Sequence, residues 1–223
     1  MSRTRLIGID LDGTLIDSAP DLGYALKNML EQLDMAPVTG HQIRTWIGNG
    51  VNLLVKRALT GTMNPPDQLP QFEQALSVFS DFYEQNINER GCLYPGVREG
   101  LSQLRADGFI LACLTNKHSR FTHKLLEQSG LAEYFDFVVC GDTFEQRKPH
   151  PMPLLKTAEH FSVDPKCAVM VGDSINDIKA AKAAGFMSVS VPYGYLGKYT
   201  VDDLAADHSV ESLDQLSALL RAA

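Results

Sequence analysis

The sequence lacks the features that would place it in several large functional classes. It has no run of like charges: 27 acidic and 20 basic residues are interspersed along 223 positions, for a formal net charge of −7. Without a basic stripe to neutralise phosphate backbones, nucleic acid is not an expected partner. No uninterrupted apolar stretch approaches the roughly 18 residues of a membrane span. Leu6 to Ile9, preceded by Arg3 and Arg5, is far too short for a signal-peptide core and runs straight into Asp10 and Asp12. The chain reads as soluble and cytoplasmic, with no membrane partner, acting as a monomer or homodimer. Its four cysteines, Cys92, Cys113, Cys140 and Cys167, are far apart, and the last three sit in apolar runs, so they read as reduced core thiols rather than a disulfide or metal site. Internal repeats are lacking, and the six histidines show no paired ligand spacing that would suggest zinc.

What is present is an ordinary globular composition, 44% apolar and 21% charged, in a chain long enough for one core domain and a smaller lobe. Short apolar runs at Leu6 to Ile9, Phe109 to Leu114, Phe135 to Cys140, Cys167 to Val171 and Met187 to Val191 alternate with helix-like segments. Continuous runs of that length suit strands covered on both faces, so the fold class is α/β: a doubly wound parallel sheet. Residues 16–86 break the alternation with helical periodicity throughout. Leu22, Ala25, Leu26, Met29, Leu30 and Leu33 mark a first helix after the N-cap candidate Ser18. Ile43 and Trp46 mark a second, stopped by Gly48-Asn49-Gly50, and helices over Val51 to Leu59 and Gln71 to Asn86 follow. This stretch is expected to form an all-helical cap domain inserted into an α/β core of residues 1–15 and 87–223, with hinges near Asp17 to Pro20 and Asn88 to Gly96. Ser212 to Arg221 reads as a closing amphipathic helix.

The sharpest motif is Asp10-Leu11-Asp12-Gly13-Thr14, at the end of the first expected strand. Ligands of open α/β sheets bind at the carboxyl ends of strands, which puts this acidic pair in the active crevice. Two carboxylates two residues apart can face one side, where they repel unless a cation intervenes. Gly13 allows a tight turn, and the Thr14 hydroxyl could bond a phosphate or a loop. Taken alone, the motif is equally an acidic turn capping a helix. A second acidic cluster, Gly172-Asp173-Ser174-Ile175-Asn176-Asp177, follows the apolar run Ala168 to Val171 and should bring Asp173 to the same crevice. Its other role is to cap a helix over Ile178 to Ala184 that Gly185 closes. Oxygen ligands of this number suit Mg²⁺ better than Ca²⁺. Two more strand ends offer what an anionic substrate needs: Thr115-Asn116-Lys117, with a hydroxyl and backbone N–H groups at a helix start, and Lys148, whose charge can offset that of a phosphoryl group.

In this order and over almost the whole chain, Asp10/Asp12/Gly13/Thr14, Thr115, Lys148 and Asp173/Asp177 resemble the motifs of the haloacid dehalogenase superfamily. The resemblance implies a Rossmann-like core and a Mg²⁺-dependent phosphatase working through an aspartyl-phosphate. It makes Asp10 the nucleophile, Asp12 the general acid/base, and Asp10, Asp12 (through its carbonyl oxygen) and Asp173 the metal ligands, with Asp177 in support. Dehalogenases and phosphonate-cleaving relatives lack the second aspartate of the first motif, so Asp12 argues for phosphate esters. Asp10 to Leu22 and Trp46 to Gly50 are similar to the phosphoglycolate phosphatase group. That similarity implies 2-phosphoglycolate as substrate, with the Gly48-Asn49-Gly50 segment presenting backbone N–H groups to its carboxylate. A plain helix-breaking turn is the alternative for that segment.

Three rivals share these motifs. A phosphosugar mutase would use the same aspartates and return the phosphoryl group to its substrate, a pyrophosphatase or other small-metabolite phosphatase would differ only in the ester, and a signalling receiver domain would stop at a phosphorylated protein. The long helical insert argues against the last. Gly194 to Thr200 has the wrong spacing for a phosphate-binding loop and reads as a solvated loop, as does His150.

Overall fold

The computed structural model describes residues 4–222, so Arg3 lies outside the described residues. The chain runs β1 (Leu6–Ile9), β2 (Ile16–Asp17), α1 (Ala19–Gln32), α2 (Gly40–Trp46), α3 (Val51–Thr60), α4 (Phe72–Gln85), β3 (Cys92–Leu93), α5 (Val97–Ala106), β4 (Ile110–Leu114), α6 (Ser119–Gln128), β5 (Phe137–Val139), α7 (Met152–His160), β6 (Ala168–Gly172), α8 (Ile175–Ala184), β7 (Met187–Ser190), α9 (Val201–Leu204), β8 (His208–Ser209) and α10 (Leu216–Ala222). Six strands form one sheet in the order β5-β4-β1-β6-β7-β8, every pairing parallel.

The expected strand runs are there because both faces are covered. Ile7, Ile9, Leu111, Cys113, Val169 and Val171 enter one buried cluster with residues of α5, α6 and α10, while Leu6, Ala112, Leu114, Ala168 and Met170 enter the opposite cluster with residues of α7 and α8. Alternate residues of each strand therefore face alternate layers, and both must be apolar. Gly8, in the central strand, leaves room for the Leu114 and Met170 side chains that would meet a Cβ there.

The four helices α1 to α4 occupy the stretch with helical periodicity. Leu22, Ala25, Leu26, Met29 and Leu30 of α1, Val55 of α3 and Phe79 of α4 pack together and continue the first cluster. Gly61, left-handed at φ 68°, ends α3 as a glycine after a helix should. One pairing was invisible to periodicity. β2 and β3 pair antiparallel through only Ile16–Leu93 and Asp17–Cys92, forming a short stem on either side of the helices. Two-residue strands carry no readable alternation.

Ser18 sits at the N-cap position of α1 but makes no capping bond; its hydroxyl donates to Asp12 Oδ1 at 2.6 Å. The orphan N–H of Ala19 is taken instead by the Tyr195 hydroxyl at 2.8 Å, and Pro20 has no N–H to satisfy. Gly194 to Thr200 is likewise not simply solvated, because Tyr195 is buried against the core. The closing helix begins as a 3₁₀ turn at Leu213–Gln215 and becomes α-helical from Leu216.

The far end of the stem is held by one side chain. Asp21, buried in the first turn of α1, accepts the N–H groups of Asn88, Arg90 and Gly91 at 3.0, 2.8 and 3.1 Å. Asp21→Ala would leave three backbone donors without that partner. We expect it to destabilise the protein by about 3 kcal/mol, measured as a lowered midpoint of urea unfolding, with Asp21→Asn falling between the two.

Candidate active site

The site lies where β1, β4 and β6 end, and each chemical residue follows directly from a strand. The Asp10 N–H continues the ladder, donating to Val171 O at 2.9 Å, so the first acid leaves the sheet beside the end of β6. The chain then turns sharply through Gly13, at φ 88°, where a Cβ would collide with the Asp173 carboxylate and the Tyr195 ring. A glycine is required there both for the dihedral and for the close approach.

Asp10 and Asp12 do not share partners. Asp10 Oδ1 is 3.0 Å from Lys148 Nζ. The Asp12 carboxylate turns away to the Ser18 hydroxyl and to Lys117 Nζ, which lies 3.0 Å from each of its oxygens. The carboxylates that converge are instead those of Asp10, Asp173 and Asp177, with one oxygen of each within 4.8 Å of the others. The Asp12 carboxylate is not among them; Asp177, in the first turn of α8, stands with Asp10 and Asp173 because its position on the helix points it back at the strand ends. Asp177 Oδ2 accepts the N–H and hydroxyl of Ser174 at 3.0 and 2.6 Å, while Oδ1 is 2.6 Å from Lys148 Nζ. Capping and site geometry coexist in one side chain.

Thr14 is also placed differently from the expected substrate contact. It is fully buried and donates its hydroxyl proton to Asp173 Oδ1 at 2.8 Å, so it orients the acid. Asp173 Oδ2 accepts the N–H of Tyr195 at 2.5 Å. Lys148 completes the cluster by donating to Leu114 O at the end of β4.

Electrostatically the cluster is short of positive charge. Among the described residues, Asp10, Asp12, Asp173 and Asp177 form ion pairs only with Lys117 and Lys148. Burial lifts Asp10 and Asp173 well above the ordinary carboxylate range; Lys148 pulls Asp10 partly back, and neighbouring carboxylates lift both further. Burial depresses the two lysines, but the aspartates beside them more than offset this and hold both charged. Asp10 Oδ1 and Asp177 Oδ1 are buried with no aligned hydrogen bond, although Lys148 is close to both. An all-oxygen donor set with excess negative charge and two unsatisfied oxygens fits a hard divalent cation.

A cavity opens beside these acids. Asp10, Asp12, Thr115, Asn116 and Lys117 form its floor, and Leu22, Ile47, Gly48, Gly50, Val51, Leu54 and Tyr83 from the helical segment roof it. The space open to the centre of a water-sized sphere is about 40 Å³. At roughly 10–15 Å³ per water by this measure, it admits only a small ligand. Thr115 Oγ1 accepts the Lys117 N–H at 3.2 Å. The Asn116 amide donates to Gly48 O and Lys148 O at 3.0 and 2.8 Å, and Asn176 donates to the same Gly48 carbonyl at 3.1 Å. The Gly48–Gly50 turn is therefore clasped to the strand ends. Asn49 points away, its amide oxygen accepting from buried Arg57 at 3.1 Å, and only the flanking glycines line the cavity. His150 is exposed, with Nδ1 accepting from Met152 N.

Sequence reasoning missed three side chains at the site. Lys117 was considered only for its backbone, although it stands two residues from Thr115 at a strand end. Tyr83 has the spacing of a core aromatic and carried no signal; its burial pushes the phenol up to about 12. Tyr195 belongs to a loop set aside as solvated.

Residues 7–191 match the family model described as haloacid dehalogenase-like hydrolase. The chain is 42% identical over 221 residues to a protein named phosphoglycolate phosphatase from Nitrosococcus oceani, covering 99% of this chain and 98% of that one. It is 44% identical over 217 residues to a protein of the same name from Nitrosospira multiformis, covering 97% and 96%. A crystal structure of a predicted phosphoglycolate phosphatase from Haemophilus somnus superposes with a TM-score of 0.92 at 32% identity, over 98% of this chain and 99% of that one.

The excess of buried carboxylates sets a pH trend. Asp10 and Asp173 hold protons in the folded protein that the unfolded chain releases, so without a divalent cation stability falls as pH rises above the ordinary aspartate value of 3.8 toward the raised folded values. Mg²⁺ should therefore stabilise more at pH 8, where a hundred-fold excess over its Kd is worth about 2.7 kcal/mol, than the same concentration does at pH 5, where protons compete for the carboxylates. Thermal melts with Mg²⁺ and with EDTA check this, and Asp173→Asn is expected to remove most of the difference.

Proposed function

The chain belongs to the haloacid dehalogenase-like hydrolases and is a phosphatase of phosphate monoesters resembling phosphoglycolate phosphatase, and from that premise we propose that it hydrolyses 2-phosphoglycolate to glycolate and phosphate. The observation that carries the substrate reading is the cavity itself: small, closed by apolar side chains, and floored by the strand-end acids. A two-carbon ester suits it, whereas a sugar phosphate would set hydroxyl groups against Leu22, Val51 and Leu54.

In this reading Asp10 is the nucleophile. One of its carboxylate oxygens attacks phosphorus, the ester P–O bond breaks, and Asp12 gives a proton to the departing alkoxide. Asp12 then takes a proton from water, whose oxygen attacks the phosphorylated Asp10 and releases inorganic phosphate. Lys148, 3.0 Å from Asp10 and 2.6 Å from Asp177, offsets the repulsion between carboxylate and phosphoryl group and keeps Asp10 aligned. Thr115 and the N–H groups at the start of α6 receive phosphoryl oxygens. Asp10, Asp173 and the Asp12 carbonyl would hold Mg²⁺, with Asp177 in support. When bound, the metal would supply positive charge that lets two anions approach.

Residues 16–86 serve as a cap over a core of 1–15 and 87–223. Gly48 and Gly50 border the substrate, and the N-terminus of α3, which follows Gly50 without a side-chain cap, faces its carboxylate. Opening and closing would turn on the β2–β3 stem, with closure excluding water during transfer.

The test is Mg²⁺-dependent phosphate release, ranked by kcat/KM over 2-phosphoglycolate, pyrophosphate, a nucleoside monophosphate and several sugar phosphates. We expect 2-phosphoglycolate to lead. Asp10→Asn should lower kcat by about 1,000-fold or more. Acid quenching in a single turnover should recover phosphate on the wild-type protein and none on this variant. Isomerised sugar phosphate in place of free phosphate would instead identify a mutase.

A further inference from the structure

We propose that Lys117 is the residue that selects the substrate's second acidic group, making this a site for phosphate monoesters with a carboxylate on the carbon that bears the ester oxygen. The inference rests on the phosphatase reading of the site and deepens it by naming the substrate class and the side chain that reads it.

Lys117 is an unusual group to find here. Its side chain is 5% exposed, yet it borders the same cavity as Asp10 and Asp12. An ammonium offers three donors. The Asp12 oxygens lie 3.0 Å from Nζ, and the face of Tyr83 lies 4.7 Å away at the ring centroid. The Tyr83 hydroxyl is buried without a hydrogen-bond partner. A charged donor and an unsatisfied hydroxyl thus stand together at one end of the cavity, whose lining there also includes His118 and the apolar Leu22, Leu54 and Phe121. A buried hydroxyl without a partner, beside an ammonium with a donor to spare, favours a ligand that pairs them.

The phosphoryl end of the substrate does not need Lys117. Lys148 already serves Asp10 and Asp177, whereas Lys117 bonds to the acid that protonates the leaving oxygen. A substrate oriented for that proton transfer places its ester oxygen against Asp12. The first atoms beyond that oxygen then lie beside Nζ and the Tyr83 hydroxyl. A carboxylate one carbon from the ester oxygen reaches both; a methyl group in the same position pairs neither. The N-terminus of α3 offers only partial charge on the roof, and among the described residues that line the cavity Lys117 is the one lysine or arginine.

The experiment compares 2-phosphoglycolate with ethyl phosphate, which has the same two-carbon ester skeleton without the carboxylate. Mg²⁺-loaded wild type, Lys117→Met and Lys117→Gln are assayed for kcat/KM on both, with thermal melts to establish folding; Lys117→Gln keeps a donor and serves if the Met variant does not fold. Wild type should prefer the acidic ester by a factor of roughly 100 or more, and the variants should lower this preference to within about tenfold, chiefly by loss on 2-phosphoglycolate. An undiminished preference in the variants would overturn the role of Lys117 while leaving the phosphatase reading intact. Equal losses on both esters would also overturn it, assigning Lys117 to the chemical step through Asp12. If wild type hydrolyses neither ester, the proposed substrate fails, and calorimetric binding of the same two esters decides the selectivity: preferential binding of the acidic ester that depends on Lys117 upholds it, and indifferent binding ends it.

Discussion

The structure turns on the burial of like charges at the ends of adjacent parallel strands. Asp10 follows β1 and Asp173 follows β6, and the pairing of Ile9 with Val171 forces the two acids side by side. Asp177 adds a third carboxylate from the first turn of α8. No such arrangement is stable by itself, since burial and mutual repulsion both disfavour the charged forms. The surroundings are built to hold it: Lys148 bridges Asp10 and Asp177, Thr14 and the Tyr195 N–H grip Asp173, and Ser174 grips Asp177. What remains unmatched is the charge that a divalent cation and a transferring phosphoryl group would balance.

The same constraint explains where the helical segment attaches. The chain leaves the core directly after the first motif, so α1 starts eight residues past Leu11. The bonds at this exit tie site and roof together through specific groups: Ser18 donates to Asp12, Tyr195 donates to Asp17 while accepting from Ala19, and Arg44 of α2 pairs with Asp17 at 2.7 Å. On the opposite rim, Asn116 and Asn176 clasp the Gly48 carbonyl. Both clasps join residues adjacent to the acids with residues of the roof, so the position of the roof and the order of the site are linked.

The two buried lysines divide the labour of charge. Lys148 lies among the converging acids at the strand ends, and Lys117 lies on the far side of Asp12, under the aromatic ring of Tyr83. Their separation gives the cavity a polarity along its length, with an acidic end suited to metal and phosphoryl group and a cationic end suited to a small anion. Such a gradient selects by charge and size together, which a purely apolar pocket of this volume could not do.

Sequence alone determined the layered α/β class, the helical insertion and the strand-end positions of Asp10, Thr115 and Asp173. These follow from local patterns: doubly covered strands are continuously apolar, helices repeat at their own period, and chemistry follows strand ends. Only the tertiary structure decided which side chains meet. It turned Asp12 away from Asp10 and toward Lys117, brought Asp177 in among the acids, spent the Thr14 hydroxyl on Asp173, aimed Asn49 at Arg57, and carried Tyr83 and Tyr195 from distant segments to the site. The physical reason is that burial patterns record whether a residue faces the interior, whereas partner choice depends on side-chain direction and on contacts across more than a hundred residues, which no local period encodes.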